Sequence, residues 1–176
     1  MRIGSPLLSV AGWPADPADG ATALSDLGLT HIALPATDLA ASLAFYERYA
    51  RMSVVHRRRD PETGTEVAWL SDGTRPFVIV LITVEQVETP LRPLAHLGVA
   101  CASRHEVDRL CALASGENVL SLGPFDSGYP VGYWALLSDP DGHTLEISYG
   151  QEVGLAVERH RTARDAGPAS GPRSSG

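Results

Sequence analysis

Apolar residues alternate with small or polar ones at 30–34, recur at helical spacing from Leu39 onward, and alternate again over 52–57, 66–71 and 77–84. The same succession returns with strand-like runs at 95–101, 119–122, 131–138 and 143–149, and a helical run from Ser103 to about Gly116. Asp38 is a good N-cap for the first helix, whose inner face carries Leu39, Leu43 and Tyr46. Ser103-Arg104-His105-Glu106 reads as a capping box for the second helix, with Val107, Leu110, Cys111 and Leu113–Ala114 facing inward and Gly116 as the expected stop. The order β-α-β-β-β therefore occurs twice, with His31 and His96 at matching positions about 65 residues apart. An α+β domain over 28–150 follows, built of modules at 28–90 and 91–150. Residues 1–27, rich in Ala, Pro, Asp and Gly, read as an N-terminal arm with a small packed piece around Leu7 and Trp13. Residues 151–176 read as a C-terminal tail, flexible at least from Ala166.

Strand alternation also sorts side chains by face. If Ile32 and Leu34 pack under the first helix, His31 and Ala33 face the other way. By the same parity Leu97, Val99 and Cys101 go to the core, leaving His96, Gly98 and Ala100 on the opposite face. In SDPDGHTLEISYG, Leu145 and Ile147 go inward and Glu146 outward. Three strands thus each carry one potential metal ligand on the non-helical face, with small neighbours beside it. Two neutral imidazoles and one carboxylate can occupy one face of an octahedral divalent ion and leave its other positions open. Taken singly, each has a plainer reading: a strand histidine is more often not a ligand, and Glu146 can be an exposed carboxylate.

Composition narrows the chemistry. All 14 basic residues are arginine, so lysine Schiff bases, a Walker lysine and Ser–Lys pairs are excluded. A net charge of −7 gives the chain no electrostatic footprint for nucleic acid. There is no transmembrane run, and two cysteines without a CxxC spacing read as buried thiols in a reducing cytoplasm.

The stretches LTHIALPATDLAASLAFYERYA, LAHLGVA and, most specifically, SDPDGHTLEI resemble the vicinal oxygen chelate superfamily. That superfamily includes glyoxalase I, bleomycin-resistance proteins, fosfomycin-resistance enzymes, methylmalonyl-CoA epimerase and type I extradiol dioxygenases. The resemblance implies two βαβββ modules paired into a curved mixed sheet that forms a metal-binding cup, with His31, His96 and Glu146 as ligands. It also implies a homodimer, with the ligand set completed within one chain or across two. Many members carry a fourth ligand on the last strand of the first module. Here that strand reads PFVIVLITV, with Glu85 just beyond it and a poor candidate. This departure points to three-ligand members: Fe(II) extradiol dioxygenases first, then Mn(II) fosfomycin-type thiol transferases. A glyoxalase-like lyase, with Zn(II) or Ni(II), and a metal-free drug-binding protein are the further alternatives.

An extradiol enzyme chelates a catechol, holds dioxygen beside it, and needs a group to move protons. If the turn at 139–142 makes a plain hairpin, Tyr133 sits opposite Ser148 on the cup face and is a candidate acid; a one-residue bulge puts Trp134 there instead. His56 is the other candidate, and the Arg57–Arg59 run a candidate clamp for an acidic substrate. His143 is expected to cap the turn. Neither His105 nor His160 is placed to ligate.

Overall fold

The structure, a computed structural model, describes residues 28–165. Its elements are β1 (His31–Ala36), α1 (Leu39–Ala50), β2 (Ser53–Arg59), β3 (Glu66–Ser71), β4 (Val78–Thr83), β5 (Leu97–Ala100), α2 (Arg104–Gly116), β6 (Leu120–Asp126), β7 (Tyr133–Ser138), β8 (Thr144–Tyr149) and α3 (Val153–Asp165). The expected β-α-β-β-β order is present twice. Each module makes its own four-stranded sheet, in the order β1-β4-β3-β2 and β5-β8-β7-β6. In both sheets the first strand pairs parallel to the last and the other pairings are antiparallel. The arm at 1–27, with Leu7 and Trp13, and the tail from 166 lie outside the described residues.

Both helices start where the sequence says. The Asp38 carboxylate accepts from the Ala41 N–H, and the Ser103 hydroxyl from the Glu106 N–H. Glu106 completes a variant of the capping box, accepting from the Ala102 N–H at 2.9 Å. The stop of α2 differs: the helix runs through Gly116, and the left-handed residue that follows is Asn118, at φ 58°. The segment 153–165, read from sequence as tail, forms α3, exposed along its length through Arg164. Among the described residues no helix is long and apolar enough to cross a membrane.

Helix α1 packs across β2, β3 and β4, and α2 across β6, β7 and β8. Their apolar faces merge into one core that joins Leu34, Tyr46 and Leu81 of the first module to Leu110, Leu137 and Ile147 of the second. A polar network fixes the junction. His143, 1% exposed, uses both ring nitrogens. Nδ1 accepts from the Leu91 N–H at 3.1 Å, and Nε2 lies 2.9 Å from the Pro35 carbonyl. A carbonyl only accepts, so Nε2 carries the hydrogen and the ring ties the inter-module linker to β1. Beside it the Tyr46 hydroxyl donates to Asp139 at 3.2 Å, and Asp139 Oδ1 accepts from the His143 and Asp141 N–H groups. Burial pushes the Asp139 carboxyl above its ordinary value, against the pull of those donors. Asp141 receives both the N–H and the hydroxyl of Thr37, while Glu117 and Glu106 take Arg48, Tyr49 and Arg51 of the first module.

Removing His143 strands buried backbone groups on both sides of the junction. His143→Ala is expected to lower stability by about 2–4 kcal/mol. His105→Ala, on the exposed face of α2, is expected to stay within about 0.5 kcal/mol of the parent. Urea unfolding of the two variants side by side checks this.

Candidate metal centre

The two-residue period does most of the sorting. Along β1, Leu34 is buried under α1 while His31 and Ala33 are exposed on the other face. Along β5, Leu97 and Val99 join the core, and His96, Gly98 and Ala100 point away. Leu145 and Ile147 of β8 are fully buried in the core, and Glu146 lies on the opposite face, paired across β5 with Gly98 and across β7 with Leu136. A Cβ added at Gly98 would meet nothing within 4 Å, so there is space beside the carboxylate.

His96 and Glu146 are brought together. Nε2 of His96 and Oε2 of Glu146 are 3.6 Å apart. Nδ1 of His96 lies 2.9 Å from the Pro93 carbonyl, so Nδ1 carries the hydrogen of the neutral ring. The Nε2 lone pair then faces a carboxylate oxygen. Two acceptors in that attitude repel unless something positive lies between them: a proton on Nε2, or a cation. The 3.6 Å gap is a little wider than that between two ligands of one ion. Neighbouring ligands about 2.1 Å from an ion stand about 3.0 Å apart in octahedral and about 3.4 Å in tetrahedral geometry. An imidazole whose far nitrogen is anchored by a carbonyl is also the usual arrangement around a bound metal. Glu146 is 8% exposed, and its other oxygen, Oε1, accepts from the Gln151 amide at 2.6 Å. Gln151 thereby fixes the carboxylate and leaves Oε2 turned to His96. Residue pattern does not single out Gln151, which lies past the last strand in what reads as tail; only the closeness of Gly150 to β8 hints that the chain doubles back.

His31 is not brought to this pair within one chain. Among the described residues no three His, Cys, Asp or Glu side chains converge. His31 stands on the open face of the first sheet, where Thr30 Oγ1 lies 3.1 Å from its Nδ1. Both β1 and β5 are edge strands. The leucines two residues before each histidine, Leu29 and Leu94, are 81% and 96% exposed.

The open face of the first sheet is a cup of about 540 Å³. Val80 and Trp69 line its floor, with His31 and Val78 toward one end, Ile82, Val67 and Arg58 toward the other and Val55 at the β2 side; by register Ala33 and His56 continue the Val80–Trp69 row beyond the lining. His56 therefore lies on the cup side, its ring 4.9 Å from that of Trp69. It is three strand spacings, about 14 Å, across the sheet from β1. A second cleft, between the end of α1 and β5–α2, has room for about 30 Å³ and is too small for a substrate. The Cys101 thiol beside it is pushed up to about 11 by burial and by Glu106.

Tyr133 requires a correction. The hairpin loop is Pro140–Gly142, with the Asp139 N–H donating to the His143 carbonyl, so His143 belongs to the turn. Leu136 then pairs with Glu146, Trp134 with Ser148 and Tyr133 with Tyr149. This is the shifted register, and it places Trp134 on the cup face. Tyr133 lies on the helical side, where its hydroxyl donates to Asp108 of α2 at 2.5 Å and the Arg104 guanidinium sits 4.5 Å from its ring centre. The bond to Asp108 holds the phenol above its ordinary value. Tyr133 is thus committed to the α2 surface.

Residues 28–147 match the model of the Glyoxalase family, described as the Glyoxalase/Bleomycin resistance protein/Dioxygenase superfamily. A relative from Pseudomonas aeruginosa, called Uncharacterized protein PA2024, is 39% identical over 133 residues, spanning 74% of this chain and 94% of that protein. Among solved structures, glyoxalase I of Leishmania major superposes with a TM-score of 0.58 at 21% identity, covering 80% of this chain and 99% of that one. The fosfomycin resistance protein FosX from Listeria monocytogenes, complexed with Mn(II) and sulfate, gives 0.57 at 18% identity, covering 74% and 97%. At such identities the likeness of these two structures is one of fold.

The facing lone pairs make a prediction for the metal-free protein. Glu146→Gln turns one acceptor into an amide that can donate to Nε2, so the apo variant should melt no lower than the parent. A divalent ion at roughly a hundred times its dissociation constant should stabilise the parent by about 2.7 kcal/mol and leave Glu146→Gln and His96→Ala unmoved. Thermal melts with and without Mn(II) or Zn(II) read both effects.

Proposed function

The chain belongs to the glyoxalase/bleomycin resistance/dioxygenase superfamily, and on that premise we propose that it is a metal-dependent enzyme acting on a small molecule with two adjacent oxygens. The observation that carries this reading is the His96–Glu146 pair, two acceptors held face to face with their far sides anchored by Pro93 and Gln151. His31 supplies the third ligand from a second copy of the chain. The edge positions of β1 and β5 and the bare Leu29 and Leu94 beside the two histidines support a homodimer that brings the open face of one copy's first sheet against the other's second.

The reaction proposed is Fe(II)-dependent ring cleavage of a catechol-type compound: an ion held by His31, His96 and Glu146 would keep positions free for groups the protein does not supply. The bound ion would supply Lewis-acid polarisation of the substrate and an open position for dioxygen. The chain's own part is to hold the site: Gln151 orients Glu146, the Pro93 carbonyl keeps the His96 proton on Nδ1, and Val80, Val78 and Trp69 form an apolar floor that excludes water. His56 is too far across the cup to serve a group held at His31 and instead flanks the substrate's body.

One observation favours a second reading, a Mn(II)-dependent addition of a thiol or water to an activated substrate. With Tyr133 on the helical side, neither proton-moving candidate lies near the proposed ligands.

Oxygen uptake with a catechol panel after anaerobic Fe(II) loading separates the two. Uptake coupled to ring opening is expected; turnover of an epoxide with Mn(II) and no uptake would establish the second reading. Shared sites also predict complementation. His31→Ala and His96→Ala should each be inactive alone, and an equal, reassociated mixture should recover about a quarter of parental activity, since only mixed dimers contain an intact site.

A further inference from the structure

The cup on the first sheet is too large for a bare catechol ring, and its charges are not evenly spread. The Arg57–Arg59 run divides by face. Arg57 is paired with Glu66 at 2.9 Å, whereas Arg58 lines the cup, opposite Val67. Among the described residues Arg58 forms no ion pair. The nearby Asp60 has its Oδ1 occupied by the Thr63 and Glu62 N–H groups, which with the more distant Arg58 charge hold its carboxyl below the ordinary value. From His31 to Arg58 is two pleat repeats along the strands, about 13 Å, and three strands across, about 14 Å. Between them lie Val80, Ile82, Val67 and the indole of Trp69, against which the His56 ring is tilted by 54°. Arg75 stands at the other end, in the β3–β4 loop beside His31 and Phe77. In a chain of net charge −7 a guanidinium outside any ion pair beside apolar floor is the local exception that would admit an anion.

The geometry points to an elongated organic anion as the cup's ligand: a flat apolar body lying on Trp69, with its carboxylate or comparable acidic group held by Arg58 at the end remote from His31. The inference rests on the proposed function only for orientation, in that the chelating oxygens are the ones placed at His31. Arg58 is then a specificity-determining residue. It would select acidic substrates and fix which end reaches the centre.

Calorimetric titration of the full-length protein tests this with a biphenyl carboxylate against the matching carboxamide, first in the presence of a chelator and then with Mn(II). Without metal, the carboxylate should bind roughly tenfold or more tightly than the amide. Arg58→Gln should abolish that difference and leave amide binding unchanged. Trp69→Leu should weaken both ligands. Arg75→Gln and His31→Ala should keep the preference. Equal affinities in the parent, a preference seen only with Mn(II), or one lost in Arg75→Gln but kept in Arg58→Gln would overturn the assignment. If Mn(II) does not bind at all and the Arg58-dependent preference stands, the metal reading falls and the cup assignment survives.

Discussion

In both sheets the strand period of two divides the side chains between a helix and an open face, and every other feature follows from that division. The helical side demands volume and apolarity, which is why Leu34, Leu81, Leu137, Leu145 and Ile147 meet in one core. The open side is released from that demand, so it can carry His31, His96 and Glu146 without cost to packing. Glu146 lies between two fully buried residues, Leu145 and Ile147, yet on the opposite face of the same strand. A carboxylate there is tolerated because Gln151 donates to one oxygen and the other turns toward the His96 imidazole.

The two modules repeat the same strand order, but they are not joined into one sheet. They are joined by helices and by the polar network around His143, Asp139 and Tyr46. This junction holds the chain's two open faces in a set relation while leaving β1 and β5 at the sheet edges. The arrangement leaves His31 on one open face and the His96–Glu146 pair on the other. Leu29 and Leu94, which precede the two histidines, stand exposed beside those edges.

Much of this was legible from residue pattern. The doubled β-α-β-β-β order, the caps at Asp38 and Ser103, and the sorting of His31, His96 and Glu146 by face all follow from short-range rules that act within one element. What escaped depends on contacts between elements or on turn detail. Alternation alone does not assign His56 a face, because β2 carries a bulge at Val55, between Val54 and His56. Arg58 and Trp69 share the cup only because β2 and β3 pair in the observed register. Gln151 reaches Glu146 because the chain turns back at Gly150, whose φ is 89°. The misplacement of Tyr133 had a readable signal. Gly142, at φ 84°, closes a three-residue loop of the kind that ends in a left-handed glycine, whereas counting 139–142 as a four-residue turn shifts β7 by one.

That turn has a bearing on how the protein can vary. The loop Pro140–Gly142 sets which side of β7 meets α2 and which meets the open face. Loss or gain of a single codon there would turn Ala135 and Leu137 out of the core and exchange the two aromatic neighbours, Tyr133 and Trp134, in one step. The length of this loop is therefore as constrained as the identity of any ligand, and relatives that keep the fold should differ in its letters far more readily than in its number of residues.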